Sequence, residues 1–206
     1  QVGSPGPEIF QPETKAELET AVDMWIDDNA TALSTYGEIN TWDVSLITNM
    51  SSLFKSTTFN DDIGNWDISN VTTLYMMFAL TSFNHDLTNW NTSNVTDMGW
   101  MFSHNNHFNG DITTWDVSNV VSLRQTFRGT GSSVFNQDLS NWDVSNVVTF
   151  QGTFELTTSL SDENKCAIHS SWSSNENWNM NWSQNQDECG VCYGDNSTCA
   201  DCAGVP

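Results

Sequence analysis

Cations are scarce in this 206-residue chain. Five Lys and Arg stand against 26 Asp and Glu, a formal charge of −21 at pH 7. That deficit excludes unaided nucleic-acid binding, because no basic footprint exists to neutralise phosphates, and it argues against anionic membrane surfaces. Cations, calcium above all, are the partners such a surface recruits. There is no run of 18 apolar residues, the length that a membrane-crossing helix needs. The signatures G-x-S-x-G and H-E-x-x-H and any phosphate-cradling glycine-rich loop are missing too, so no catalytic constellation stands out. Proline is rare, and Pro5, Pro7 and Pro12 are three of the four, which marks residues 1–12 as an extended leader. Charged residues are only 15% of the chain, and the Asn, Ser and Thr that replace them suit a secreted protein. A start at Gln1 rather than Met fits a mature product whose signal peptide has been removed.

What the chain has in abundance is aromatic: ten Trp and eleven Phe, a large apolar payload for a composition that is 37% hydrophobic. Five of the tryptophans, Trp42, Trp66, Trp90, Trp115 and Trp142, sit in versions of one phrase, Trp-Asp-Val-Ser-Asn-Val, spaced 24, 24, 25 and 27 residues apart. A fixed period of that size marks a repeat array in which each unit needs its neighbours to bury its apolar face. Ile39, Ile63, Leu87, Ile112 and Leu139 stand three residues before each Trp. The alternation Trp66, Asp67, Ile68 reads as a short strand with Trp inward and Asp outward. Leu74, Met77 and Phe78, echoed by Met98, Met101 and Phe102, read as a short helical turn with Thr48, Thr72 and Thr96 at the cap positions. The expectation is an α/β solenoid, a right-handed, leucine-rich-repeat-like coil of short parallel strands and short helical turns. The column Asn70, Asn94, Asn119, Asn146 is expected to form a buried ladder, with Leu46 in its first place.

The array carries ends. Thr14-Lys15-Ala16-Glu17 spells a capping box, followed by Leu18, Ala21, Val22, Trp25 and Ile26 on one helical face, which predicts an N-terminal capping helix within 13–35. The five coils occupy 36–155, and 156–186 (Cys166, Ile168, Trp172, Trp178, Trp182) leaves the period but keeps the aromatics as a C-terminal cap. Residues 187–206 form a Cys-rich tail, in which Cys189, Cys192, Cys199 and Cys202 make two C-x-x-C pairs. Two such pairs can give a tetrahedral zinc site. The short loop between them, the lack of basic residues and the oxidising compartment favour disulfides, with Cys166 the odd fifth cysteine, and their pairing stays open.

The phrase W-D-V-S-N-V-T-x-M-x-x-M-F, ending in F-N-x-D-I, resembles the BspA-type leucine-rich-repeat surface proteins, the same repeat found in mycoplasma lipoproteins. The resemblance covers roughly 36–155 and implies a cell-surface protein acting in adhesion. Asn91 replaces the repeat Asp, and Val121 and Val148 replace the Thr of N-V-T. The tail also resembles the C-G-V-C modules at the ends of secreted proteins.

Two acidic columns invite chemistry. Asp43, Asp67, Asp116 and Asp143 read either as caps of local turns through the Ser two residues on, or as a cation or glycan surface, with calcium at Asp67, Asp116 and Asp143. Asp62, Asp86, Asp111 and Asp138 repeat the choice. A glycosidase would need two carboxylates flanking a pocket, and the columns offer spacing without one. His85, His104, His107 and His169 read as solvated side chains rather than metal ligands, and the repeat tryptophans as core. Sequons start at Asn29, Asn49, Asn70, Asn91, Asn94, Asn181 and Asn196, and a buried ladder leaves Asn29, Asn49, Asn181 and Asn196 as the sugar sites. The function expected is non-enzymatic: extracellular adhesion, or assembly of a surface coat or fibre by self-association, with a head-to-tail homopolymer engaging the leader or the tail. The alternative is a glycan- or calcium-binding module on the acidic face.

Overall fold

The computed structural model describes residues 9–185. The four tail cysteines, the sequon at Asn196 and most of the proline-rich leader lie outside them.

The N-terminal cap is two helices. In α1 (Lys15–Asp27) the Thr14 hydroxyl accepts from the Glu17 amide at 3.2 Å, while the Glu17 carboxylate accepts from the Glu13 amide, one residue upstream of the reciprocal bond the capping box prescribes. Leu18, Ala21, Val22 and Trp25 are buried along one stripe. Asp28 leaves helical geometry and its carboxylate caps α2 (Asn29–Tyr36), which Gly37 ends at a φ of 75°. Phe10, Trp25 and Tyr36 then close around Trp42 with ring centroids 5.2, 5.8 and 5.8 Å away.

From Ile39 the chain runs as stacked coils, each a succession of tight turns. In the second coil the Trp66 amide donates to the Ile63 carbonyl, Val71 to Ile68 and Met77 to Leu74, each three residues back. The third coil repeats this with Trp90 to Leu87, Val95 to Thr92 and Met101 to Met98. A turn closed over three residues brings every third side chain to one side. Ile63 and Trp66, then Ile68, Val71, Leu74 and Met77, therefore all face inward and are buried.

The solenoid of parallel strands and helical turns does not form, and the leucine-rich-repeat architecture goes with it. Among the described residues there is no strand and no sheet. Coils meet at isolated parallel bridges, Asn49 to Thr73, Thr73 to Asp97, Asp97 to Ser122 and Ser122 to Thr149. The Trp66–Ile68 segment links two turns instead of pairing, and among the described residues α-helices occur only in the end segments, with a 3-10 turn at Ile39–Thr41 opening the first coil. The physical reason lies in the backbone. Met76 and Leu80 have φ of 57° and 59°, Trp100 and His104 of 60° and 59°, and Ser52 and Ser56 of 60°. A pair of left-handed residues four apart in each of these coils breaks the right-handed helical turn expected there. Alternate amides of the turn reach the next coil, Leu74 to Asp97 O, Met76 to Gly99 O, Phe78 to Met101 O and Leu80 to Ser103 O at 2.8–3.0 Å, whereas Met77 and Ala79 bond within their own coil. Each left-handed residue costs about 1–2 kcal/mol, and the bond it makes returns about 1 kcal/mol. Apolar stacking has to supply the remainder.

That stacking is aromatic. Phe54, Phe78, Phe102, Phe127 and Phe154 lie one above another at 5.5, 5.5, 5.9 and 5.5 Å. Phe59, Phe83, Phe108 and Phe135 form a second column at 6.0, 6.3 and 6.2 Å. The tryptophans make a third, in which each indole N–H donates to the carbonyl of the preceding coil: Trp66 to Ile39, Trp90 to Ile63, Trp115 to Leu87 and Trp142 to Ile112. Burying a Trp therefore leaves no unpaired donor. At the far end α3 (Asp162–Trp172), capped by Ser161, supplies Trp172, while Phe150 and Phe154 pack against it.

Candidate functional site

The carboxylates of the first acidic column are occupied by their own backbone. Oδ1 of Asp43, Asp67, Asp116 and Asp143 accepts from the amide of the Ser two residues on, at 3.1, 3.0, 3.0 and 3.0 Å. Asn91 does the same for Ser93 at 3.2 Å without a charge. These Asx turns close the link between the Trp and Val turns. The Ser45 and Ser118 hydroxyls, then their amides, hold Asp43 and Asp116 below the ordinary carboxylate range. The Ser145 amide and hydroxyl lower Asp143, against a smaller opposing push from the Asp116 charge. Asp67 and Asp116 are two coils apart with neutral Asn91 between them, so the proposed calcium residues Asp67, Asp116 and Asp143 are not gathered. Among the described residues, no group of three or more His, Cys, Asp or Glu could hold a metal ion.

The second acidic column is also spent on turns. Asp62, Asp111 and Asp138 cap the amides of Gly64, Thr113 and Ser140, and Asp86 accepts from the Asp111 amide of the next coil at 2.8 Å.

The Asn70, Asn94, Asn119 and Asn146 amides donate to the carbonyls of Ser45, Ser69, Ser93 and Ser118 in the preceding coil, at 2.7–2.8 Å. This ladder lies exposed, not buried, because its acceptors are carbonyls on the rim of the turns. A second asparagine ladder went unread in the sequence. The side-chain oxygens of Asn60, Asn84, Asn109 and Asn136 accept from the amides of Asn84, Asn109, Asn136 and Ser161 at 2.9, 2.8, 2.7 and 2.9 Å. Its signal was the recurring Phe-Asn. Thr72 and Thr96 cap no helix; amide and hydroxyl both bond the carbonyl one coil back.

Asn29, Asn49, Asn91 and Asn181 are exposed. His85 Nε2 lies 2.9 Å from Asn60 O and His104 Nδ1 2.9 Å from Ser103 Oγ. His107 is exposed, and His169 Nδ1 accepts from the Trp178 indole at 2.9 Å. The cysteines of the expected disulfide tail lie outside the described residues; Cys166 is the lone cysteine among those described, buried and already engaged.

Two surfaces remain. An open cleft of about 510 Å³ lies between the N-terminal helices and the first coil, bordered by Trp25, Leu33, Phe59 and Asp61, whose carboxylate takes the Trp25 indole N–H at 2.8 Å. The other is the outer face of the left-handed turns, where Tyr75, Trp100 and Arg124 follow one another on successive coils. The Arg124 guanidinium stands 5.9 Å over the Trp100 ring. A Cβ on Gly99 would sit 3.4 Å from the Tyr75 ring.

Among the described residues, no helix is long and apolar enough to cross a membrane. Neither the curated proteins nor the solved structures contain a match to the chain. A family model described as "Mycoplasma protein of unknown function, DUF285" matches residues 23–132 and again 80–188, together most of the chain and all five coils. The two overlapping matches follow from the internal repeat, and this chain belongs to that DUF285 family.

Proposed function

We propose that the chain is a non-enzymatic, extracellular repeat protein whose task is mechanical and adhesive: it holds a surface at a cell boundary or builds a coat or fibre from copies of itself. The observation that carries this reading is how the polar columns are used. Asp, Asn and Thr at equivalent positions of successive coils are committed to backbone amides and carbonyls. A carboxylate so held is a poor general acid or nucleophile, because one oxygen is committed to the backbone, and at Asp43, Asp116 and Asp143 those bonds also lower the pKa. What is left for function is the outer surface of a stiff stack.

The closer kinship to BspA-type surface proteins, suggested by the W-D-V-S-N-V-T phrase, belongs to this proposal and supports the outward location. It is offered without the strand architecture that name carries. The acidic face as a calcium or glycan site is the weaker reading, since its acids cap turns. Immunogold labelling of native cells, with negative-stain microscopy of the purified protein, tests the proposal. Label at the cell boundary or in an extracellular layer is the expected result. Label confined to the cell interior, or turnover of a substrate by pure protein, overturns it.

A further inference from the structure

Trp100 is unlike the tryptophans that build the stack. The core indoles donate to carbonyls. The Trp100 side chain is only partly buried and its N–H has no acceptor among the described residues. It also occupies a left-handed position, φ 60°, whose equivalents in the other coils are Ser52, Met76, Gln125 and Gly152. Those residues show that the turn accepts small, flexible or polar side chains, and a bulky ring is among the worst choices for positive φ. Folding does not require this Trp. Its neighbours complete a surface. Tyr75 lies one coil before it, and the glycine at position 99 leaves room beside the Tyr75 ring. Arg124 one coil after lies over the Trp100 ring without an ion pair among the described residues. Arg128, Lys15 and Lys165, by contrast, are held by Glu155, Glu19 and Asp162.

We propose that Tyr75, Trp100 and Arg124 form a docking strip for a neutral polysaccharide chain. Pyranose rings would lie on the Trp100 and Tyr75 faces, and sugar hydroxyls would meet the Trp100 N–H and the Arg124 guanidinium. Three features favour this occupant. Aromatic rings with a free polar edge suit a ligand that is apolar on its ring face and hydroxylated at its rim. The strip is an open row across three coils, which fits an extended polymer better than a small molecule that wants a concave pocket. The net charge of −21 opposes a polyanion. The strip rests on the adhesive reading above and names its ligand class.

The test is co-sedimentation of the full chain with insoluble cellulose, chitin, β-1,3-glucan and mannan, with alginate beads as the acidic comparison. Wild type should bind at least one neutral polymer. Trp100→Ala should weaken that binding by about ten-fold or more, and Trp100→Phe should keep most of it. Trp100→Gly relieves the left-handed backbone, so it should melt no lower than wild type and still lose binding, which separates the ring's role from folding. Three results overturn the strip: no binding to any neutral polymer, binding that survives Trp100→Gly, or binding to alginate alone. The surface reading is tested separately by the gold label, so an extracellular protein that ignores all four neutral polymers would refute the strip and leave the location standing.

Discussion

Trp172 of α3 lies on Trp142 of the last coil, ring centroids 6.1 Å apart and 16° from parallel. Its indole N–H donates to Leu139 O at 3.1 Å, the bond each coil tryptophan makes to the coil before it. The C-terminal helix thus ends the array by imitating its next member, which covers the last aromatic layer and gives the Leu139 carbonyl a second donor beside the Trp142 amide.

Trp172→Ala should cost about 3–5 kcal/mol, the range for truncating a buried Trp, because it removes the ring and one of the two donors to the Leu139 carbonyl, which keeps the Trp142 amide. Trp172→Phe keeps the stack and loses only the bond, so it should cost less. Chemical denaturation of both variants decides this. Equal losses would mean that the bond, not the ring, is what the cap contributes.

Asn84 links three coils, its amide bonded to Asn60 Oδ1 and its own oxygen accepting from Asn109. Asn84→Ala should cost about 1 kcal/mol, whereas Asn84→Asp keeps an acceptor and should cost less. Hydrogen exchange should report faster exchange of the Asn109 amide in the Ala variant. Unchanged protection would show that the ladder is a consequence of stacking and not a support for it.

Leu80 is exposed at 52% and strained at a φ of 59°. Asn tolerates that region better and little apolar burial is lost, so Leu80→Asn should raise stability by about 0.5–1 kcal/mol. A lower melting temperature would mean that the Leu80 side chain contributes packing the exposure conceals.

Asp116 is held below its ordinary value of 3.8 by the Ser118 hydroxyl and amide. A carboxylate with a depressed folded pKa adds stability above its unfolded pKa, and that stability is lost as pH falls through the folded value. The melting temperature should therefore decline below about pH 4. Asp116→Asn copies what Asn91 already does in its coil, so neutral-pH stability should stay within about 0.5 kcal/mol while part of the acid dependence disappears. A variant that follows wild type throughout an acid titration would remove Asp116 from the account.

The period and the inward tryptophans could be read from the chain because they depend on composition at fixed spacing. Trp66 and Ile68 with Asp67 between them require one inward and one outward direction, whatever the backbone does in detail. The secondary structure could not be read this way. Ile63, Trp66, Ile68, Val71, Leu74 and Met77 follow a spacing of mostly three, which belongs to neither the strand period of two nor the helix period of 3.6. Such a spacing can be split between the two, although linked turns satisfy it. Only the packed stack decides for turns. Met76, Leu80 and Trp100 take left-handed φ within turns whose alternate amides, those of Leu74, Met76, Phe78 and Leu80 among them, bond the adjacent coil, and no residue in one repeat carries that information alone. The exposed strip of Tyr75, Trp100 and Arg124 is tertiary for the same reason: these residues are 24 or 25 apart in sequence and become neighbours only when coil is laid on coil.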